Sequence, residues 1–578
     1  MVNSMADNKK LALALLKHDE ARYHQLVEQV NGLTMPAGLE LQTFTVEMKD
    51  LSLGAACNAV NRQTEAEYKL FFSDNVQYIY NKDIILLLIR ALGVSKGATL
   101  IGLLGSSLPL GANFLGGKPR VFGRYDRQLG GEGPDRRPGA PPKVVQMEQV
   151  IAESSLVVQQ VDALLPDVLA ERGFTEWDES LQGVFATAAQ AVRLRRRGEA
   201  AAVAKQNQSW CSYHDTCFFR QAKDEAYERE RQAFCRRYPD EAEPLVSVLI
   251  PTYNQPEFFR EALESALAQD YPRVEIIVGD DSTDTRTKEL IQPYLAQHPD
   301  TISYEFHGGS LGGHGLGNMR SCLARSRGAY VNFLYHDDLF YPGKLRRMVE
   351  EYRRDLRDEV AFVTSARDLI DAQGKKLQDT FIYRPPKDEC LPARTVGRTM
   401  LTYMHNCIGE LTTMLLRRED ALRFGHYFGV QDRSMWDVST VLELCRSGRH
   451  GLYLSDTLSA FRRYGGQNTK NQEVVLTSRL DWFALLTLSY MHDKYLESEE
   501  EFWQLAKIYA NTYCIQPLTE PQGGRSEEFS KELKVYDEVI KLALDDDREG
   551  FLKRMVEYMA SYAERPEEML AGTSFDRR

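Results

Sequence analysis

Apolar runs that end in polar residues recur through the middle of the chain. Residues 245–250 are apolar apart from Ser247 and lead into Pro251-Thr252-Tyr253-Asn254, a turn carrying two hydroxyls and an amide. Helical periodicity follows over 256–269, then an apolar strand at 274–278, a helix at 285–297 and a short strand at 302–306. A glycine-rich loop at 308–317 precedes a helix at 318–326 and a strand at 329–334. This alternation predicts an α/β domain with a mostly parallel sheet covered on both faces. Three of its strands deliver polar groups at their C-terminal ends: Thr252 and Asn254, Asp280-Asp281, and Tyr335-His336-Asp337-Asp338. A ligand of such a sheet is expected at that edge.

The pattern changes on either side of this segment. Residues 471–578 hold long apolar-periodic stretches, such as 482–491 and 536–544, and are expected to be helical. Residues 218–243 are charged with helical periodicity, and Pro244 then marks a boundary. Residues 128–142, rich in Gly, Pro and Arg, are expected to form a mobile loop.

The first 240 residues look like a worn copy of the same design. Asn58 to Tyr68 spans ten positions, as Arg320 to Tyr330 does, and each Tyr opens an apolar strand. Those strands end in Ser73-Asp74-Asn75 and Tyr335-His336-Asp337, so Asn75 takes the place of Asp337. Upstream, a helix over 20–30 and a strand over 39–46 complete the unit. The expected organisation is a degenerate domain at 1–217, a helical linker at 218–243, a catalytic domain at 244–470 and a helical region at 471–578.

Bulk properties narrow the class. A chain of 578 residues has room for two or more cored domains. Its net charge of -12 argues against a nucleic-acid partner. The N-terminus shows no charged-then-apolar leader, and the uncharged stretch 97–117 contains six Gly and a Pro, so strand plus loop is expected there rather than a membrane span. Nine Cys without dense spacing fit a reducing cytoplasm. Cys211, His214 and Cys217 are the nearest approach to a zinc set, but no fourth ligand is evident and ordinary packing is preferred.

The strand ends carry the chemistry. Thr252, Asn254, Asp280 and Asp281 can read a base and ribose from adjacent strands. Asp337 and Asp338 can hold a divalent cation against diphosphate oxygens.

Taken together, Ile250-Pro251-Thr252-Tyr253-Asn254, Asp280-Asp281-Ser282-Thr283-Asp284 and Tyr335-His336-Asp337-Asp338 resemble the family 2 glycosyltransferases. The resemblance implies a tandem GT-A fold and transfer of a sugar, with inversion, from a nucleotide diphosphate donor to an acceptor hydroxyl. It implies donor contacts from Thr252, Asn254, Asp280, Asp281, Tyr335 and His336, and Mn2+ or Mg2+ held by Asp337 and Asp338. Tyr335 stands where the family's Asp-x-Asp motif has its first acid, and Tyr464 where many relatives have His. Both departures thin the metal site. Asp437, eleven positions before Gly448, matches the family's general base, with Asp432 as runner-up. Arg462 and Arg463 suit a diphosphate. Glu410 and Trp436 suit the donor or acceptor pocket.

The segments around Leu53-Gly54-Ala55-Ala56, Glu67-Tyr68-Lys69 and Trp210-Cys211-Ser212 resemble a glycosyltransferase-like domain found before bacterial family 2 domains. There Thr187 precedes Gly198 by eleven positions, so this copy lacks the base as well as the metal acid. The implied partners are a nucleotide sugar and a glycan, lipid-linked or protein acceptor. The implied location is the cytoplasm, with peripheral contact to membrane-bound assembly proteins. Two alternatives stay open: a bifunctional polysaccharide polymerase, and a non-catalytic carbohydrate-binding or assembly protein.

Overall fold

The computed structural model describes residues 10–106, 121–123, 159–214 and 225–573, apart from 96, 207–208, 356–357, 379–382, 466, 468–470, 517, 520–525 and 572. The 128–142 loop and Cys217 lie outside the described residues. The chain divides into two compact units, Met1–Glu243 and Pro244–Arg578. Among the described residues no helix is long and apolar enough to cross a membrane.

In the second unit four parallel strands lie in the order Ile302–Phe306, Val274–Asp280, Val246–Thr252 and Tyr330–Phe333. Leu416–Arg417 then pairs antiparallel with Tyr330–Phe333. Val246–Thr252 is buried along its whole length, as a central strand covered on both faces must be. Its pairing with Tyr330–Phe333 stops at Leu249, so Pro251, which has no N–H to donate, sits where the ladder opens. A second sheet holds the parallel pair Val360–Ile370 and His450–Arg462.

The first unit repeats this plan. Glu40–Glu47, Lys10–Lys17 and Tyr68–Ser73 are parallel neighbours, and Val168–Arg172 follows antiparallel. Ala98–Gly102 and Ala200–Val203 are again a parallel pair. Leu11 pairs with Leu41 and Tyr68, as Val246 pairs with Val274 and Tyr330. Counting along the strands from there, Lys17 answers to Thr252, Glu47 to Asp280, Met48 to Asp281 and Asn75 to Asp337. The two helices that precede the later parallel strands close alike, with Gly198 and Gly448 both in the left-handed region at φ 76° and 87°.

Two expected boundaries give way to tertiary packing. The helix Glu225–Arg237, expected within a linker, belongs to the first unit. Phe234 is fully buried against Phe185, and Tyr238 donates to Asp178 at 2.8 Å. The C-terminal helices, expected as a separate region, share one core with the second sheet unit. Leu480, Phe483 and Leu486 pack in the same cluster as Val438, Val441 and Tyr427. Gln472–Met491 is buried on nearly every side, and its N-cap Asn471 accepts from Glu473 N–H. Tyr495 donates to the Leu442 carbonyl at 2.7 Å, and the Tyr427 and Ser489 hydroxyls meet at 3.0 Å.

Truncation after residue 470 is therefore expected to leave an insoluble or molten second unit rather than a smaller folded enzyme. Loss of near-ultraviolet circular dichroism in the truncated protein would check this, and a cooperative melt like that of the full chain would overturn it.

Candidate functional site

The ends of Val246–Thr252, Val274–Asp280 and Tyr330–Phe333 bring the expected residues to one edge. Thr252 is buried, and its hydroxyl has no hydrogen-bond partner. The same holds for His336 Nε2, Gln255 Oε1 and Trp436 Nε1. Buried polar atoms are almost always paired, and those of Thr252, Gln255 and His336 follow directly on the strand ends of this edge. His336 Nδ1 faces the Pro251 carbonyl at 3.3 Å.

Asn254 adopts φ 51°, which an Asn tolerates, and its side-chain oxygen accepts from Thr283 N–H at 2.9 Å. Its own N–H donates to Ser282 Oγ at 2.9 Å. The residue thus staples the first two strand-end loops together. Asp281 accepts from His307 Nδ1 at 2.8 Å and from Leu311 N–H at 3.0 Å, tying the glycine-rich loop to the site.

Three expected roles change. Asp280 is fully buried and accepts from Ser282 N–H at 2.9 Å and Tyr304 hydroxyl at 2.7 Å, so it shapes the turn instead of facing a nucleoside. Asp338, expected on the metal, is fully buried as well. It accepts from Thr412 Oγ1 at 2.6 Å and Arg462 N–H at 3.1 Å. Burial, with Asp337 beside it, pushes its carboxyl well above the usual range. Arg462, expected on diphosphate, has no exposed surface. Its guanidinium donates to the carbonyls of Asp337, Asp371 and Ala372 at 2.8, 3.3 and 3.2 Å and to Glu261 at 2.5 Å. It braces the Asp337 turn from behind. Arg463 is the exposed member of the pair.

The acids converge around Tyr335. Burial, then the charges of Asp437, Asp338, Glu410 and Asp337, pushes its phenol far up, so it stays a neutral donor. Glu410 pairs with Arg367 at 2.6 Å and 3.0 Å. Asp437 lies in the first turn of the helix Trp436–Cys445. Asn406 Nδ2 donates to it at 2.5 Å and Val438 N–H at 2.9 Å. Burial nevertheless raises its pKa to about 6, against the Val438 N–H that stabilises the charge; Glu410 adds to the rise. Asn406 Oδ1 also accepts from Ile408 and Gly409 N–H, both at 3.0 Å. Its grip on Asp437 across 31 positions leaves no local signal in the sequence.

The cation question turns on Asp337. Its half-buried carboxyl lies against the Tyr464 hydroxyl, whose pKa burial and Asp337 push up. Among the described residues no three His, Cys, Asp or Glu side chains converge to hold a metal ion. A Mg2+ or Mn2+ bound by one carboxylate and substrate phosphates needs no such cluster, so the hard oxygens present fit that arrangement.

The corresponding positions of the first unit are tied internally. Lys17 pairs with Glu47 at 2.8 Å and Glu20 at 2.7 Å, where the second unit has Asp280 under an unpartnered Thr252. Asn75 donates to Asp167 at 3.0 Å, and the buried Thr187 hydroxyl faces the Leu164 carbonyl at 2.6 Å.

Residues 247–423 match the family model described as Glycosyl transferase family 2, and residues 12–238 the one described as Glycosyltransferase like family. Two glycosyltransferase-like domains stand in tandem. An uncharacterized glycosyltransferase of Rickettsia bellii is 33% identical over 171 residues, 28% of this chain and 22% of the relative. The putative teichuronic acid biosynthesis glycosyltransferase TuaG of Bacillus subtilis is 25% identical over 270 residues, covering 46% of this chain and 95% of the relative. The matches span 22% to 58% of the Rickettsia relatives' own length. A crystal structure of S. aureus TarS 1-349 is a loose likeness, with a TM-score of 0.34 and 15% identity over 55% of this chain and 92% of that one.

Proposed function

We propose that the second unit is an inverting glycosyltransferase that moves a sugar from a nucleotide diphosphate donor to an acceptor hydroxyl. The observation that carries this reading is Asp437, a carboxylate raised to about 6 and oriented by Asn406 beside the strand end that holds Tyr335 and Asp337. A base with that pKa is ionised at neutral pH and still able to take a proton. Asp437 would remove the acceptor hydroxyl's proton as its oxygen attacks the anomeric carbon opposite the leaving diphosphate. One displacement inverts the centre, and no covalent intermediate is needed. The unpartnered Thr252 hydroxyl, His336 Nε2 and Trp436 Nε1 would take donor or acceptor groups, and Tyr335 would donate to an oxygen in the pocket. Asp337 would hold Mg2+ or Mn2+ together with the diphosphate, where the cation supplies charge neutralisation. Arg463 would meet the diphosphate from the open side.

The first unit would be a scaffold or binding module, since the groups answering to Thr252, Asp337 and Asp437 are Lys17, Asn75 and Thr187. The acceptor class that fits is a surface glycan, glycolipid or protein, reached at the cytoplasmic face of a membrane. The TuaG likeness favours an acceptor of the kind met in teichuronic acid biosynthesis.

A screen of UDP- and GDP-sugars for binding and hydrolysis, with and without manganese, tests this. Turnover of one donor class, stimulated by manganese, is expected, with a fall of at least about 100-fold in Asp337→Ala. Near-normal turnover by that variant would remove Asp337 from its role and point to the first unit as the active one.

A further inference from the structure

Behind Asp437 lie two buried carboxyl groups from distant parts of the chain. Asp432 is 5% exposed, and Asp481, from the middle of the helix Gln472–Met491, is 4% exposed. A single N–H serves both: Ser434 donates to Asp432 Oδ1 at 3.1 Å and to Asp481 Oδ2 at 2.9 Å. The Ser434 hydroxyl adds a 2.6 Å bond to Asp481, and Met435 N–H a 2.8 Å bond to Asp432. Asp432 Oδ2 is buried with no donor of its own.

The neighbouring cation, Arg433, feels the charge of Asp481 but is divided among other partners. Arg433 contacts Glu532, reaches Glu528 at 2.9 Å and stacks over the Tyr562 ring at 4.5 Å. With Tyr427, Tyr558 and Tyr562, the acids and Arg433 line a cavity of about 20 Å³, room for one water. Tyr513 and Asp437 are the other ionisable groups within electrostatic reach. Two carboxylates this close and this buried cannot both be charged. Burial and Asp481 accordingly push the Asp432 carboxyl well up.

We propose that Asp432 holds its proton against Asp481 and that the two act as a clamp on residues 432–436, the segment that aims Asp437 into the site. Asp481 is then a positioning residue supplied by the helical region, and the proposal rests on the glycosyltransferase reading for its catalytic consequence. The Asp481 half of the clamp needs an acceptor for the Ser434 N–H and hydroxyl, together with a hydrogen bond to Asp432. An Asn at 481 satisfies both. A Leu satisfies neither, although its volume fits.

The test compares full-length wild type, Asp481→Asn, Asp481→Leu and the Asp432→Asn/Asp481→Asn double variant. An infrared difference between wild type and the double variant at pH 7 should contain one protonated-carboxyl band. The Trp436 resonance in fluorotryptophan-labelled protein, assigned with Trp436→Phe, should stay in place in Asp481→Asn and move or broaden in Asp481→Leu. Donor turnover should fall by about 100-fold in Asp481→Leu with KM for the donor little changed, because misplacing a catalytic group by about 1 Å costs that much. Asp481→Asn should remain within about threefold of wild type. Absence of the carboxyl band, or an Asp481→Leu protein with the wild-type resonance, would overturn the clamp. A wild type inert toward every nucleotide sugar would instead sink the functional reading, while the band and the resonance would still judge the clamp.

Discussion

Asp437→Asn is expected to reduce sugar transfer by at least about 100-fold, the scale of losing a general base. In wild type, kcat/KM should fall by about tenfold per pH unit below a midpoint near the pKa of about 6 and level off above it, because only the ionised carboxylate accepts the proton. The variant should lose this limb. Its stability should move the other way. The folded pKa of about 6 lies above the ordinary 3.8, so Asp437's favourable contribution is complete below 3.8 and disappears as pH rises through 6. Above pH 6 the wild type carries a half-buried charge costing on the order of 3 kcal/mol, which the amide avoids. The Tm of Asp437→Asn relative to wild type should therefore rise between pH 5 and pH 8. A variant with near-normal transfer, or one whose relative Tm falls over that range, would contradict the assignment.

The second large effect is one of stability. Arg462→Ala is expected to destabilise the second unit by about 3–5 kcal/mol, the cost of breaking a buried, hydrogen-bonded charge. It would strip donors from the carbonyls of Asp337, Asp371 and Ala372 and leave a cavity beside Phe258, over whose ring the guanidinium sits at 4.5 Å. Arg462→Lys should recover little, since one ammonium cannot reproduce the planar fork. Urea unfolding of the three proteins checks this. A variant of normal stability but weakened donor binding would restore Arg462 to the diphosphate.

Much of the architecture was legible because it follows from periodicity. Alternating strand and helix patterns placed the parallel sheet, and polar groups at strand ends brought Thr252, Asp281 and Asp337 to one edge of it. The repeat showed itself in the matched spacing of Tyr68 and Tyr330, and strand register bears it out in topology. The eleven-residue spacing to Gly448 pointed to Asp437. What misled was residue type taken without burial. Asp338 and Arg462 carry the right chemistry at the right place, but they face inward.

Which segments become strands, which side of the sheet is polar, and which acids stand at its edge all follow from local pattern. Which of those acids have their oxygens taken and which remain open follows from packing alone. Asn406 reaches Asp437 across 31 positions, and Asp481 shares a donor with Asp432 from 49 positions away. Water access and hydrogen-bond partners set what a carboxyl can do, and both are properties of packing between distant segments, which no local spacing records.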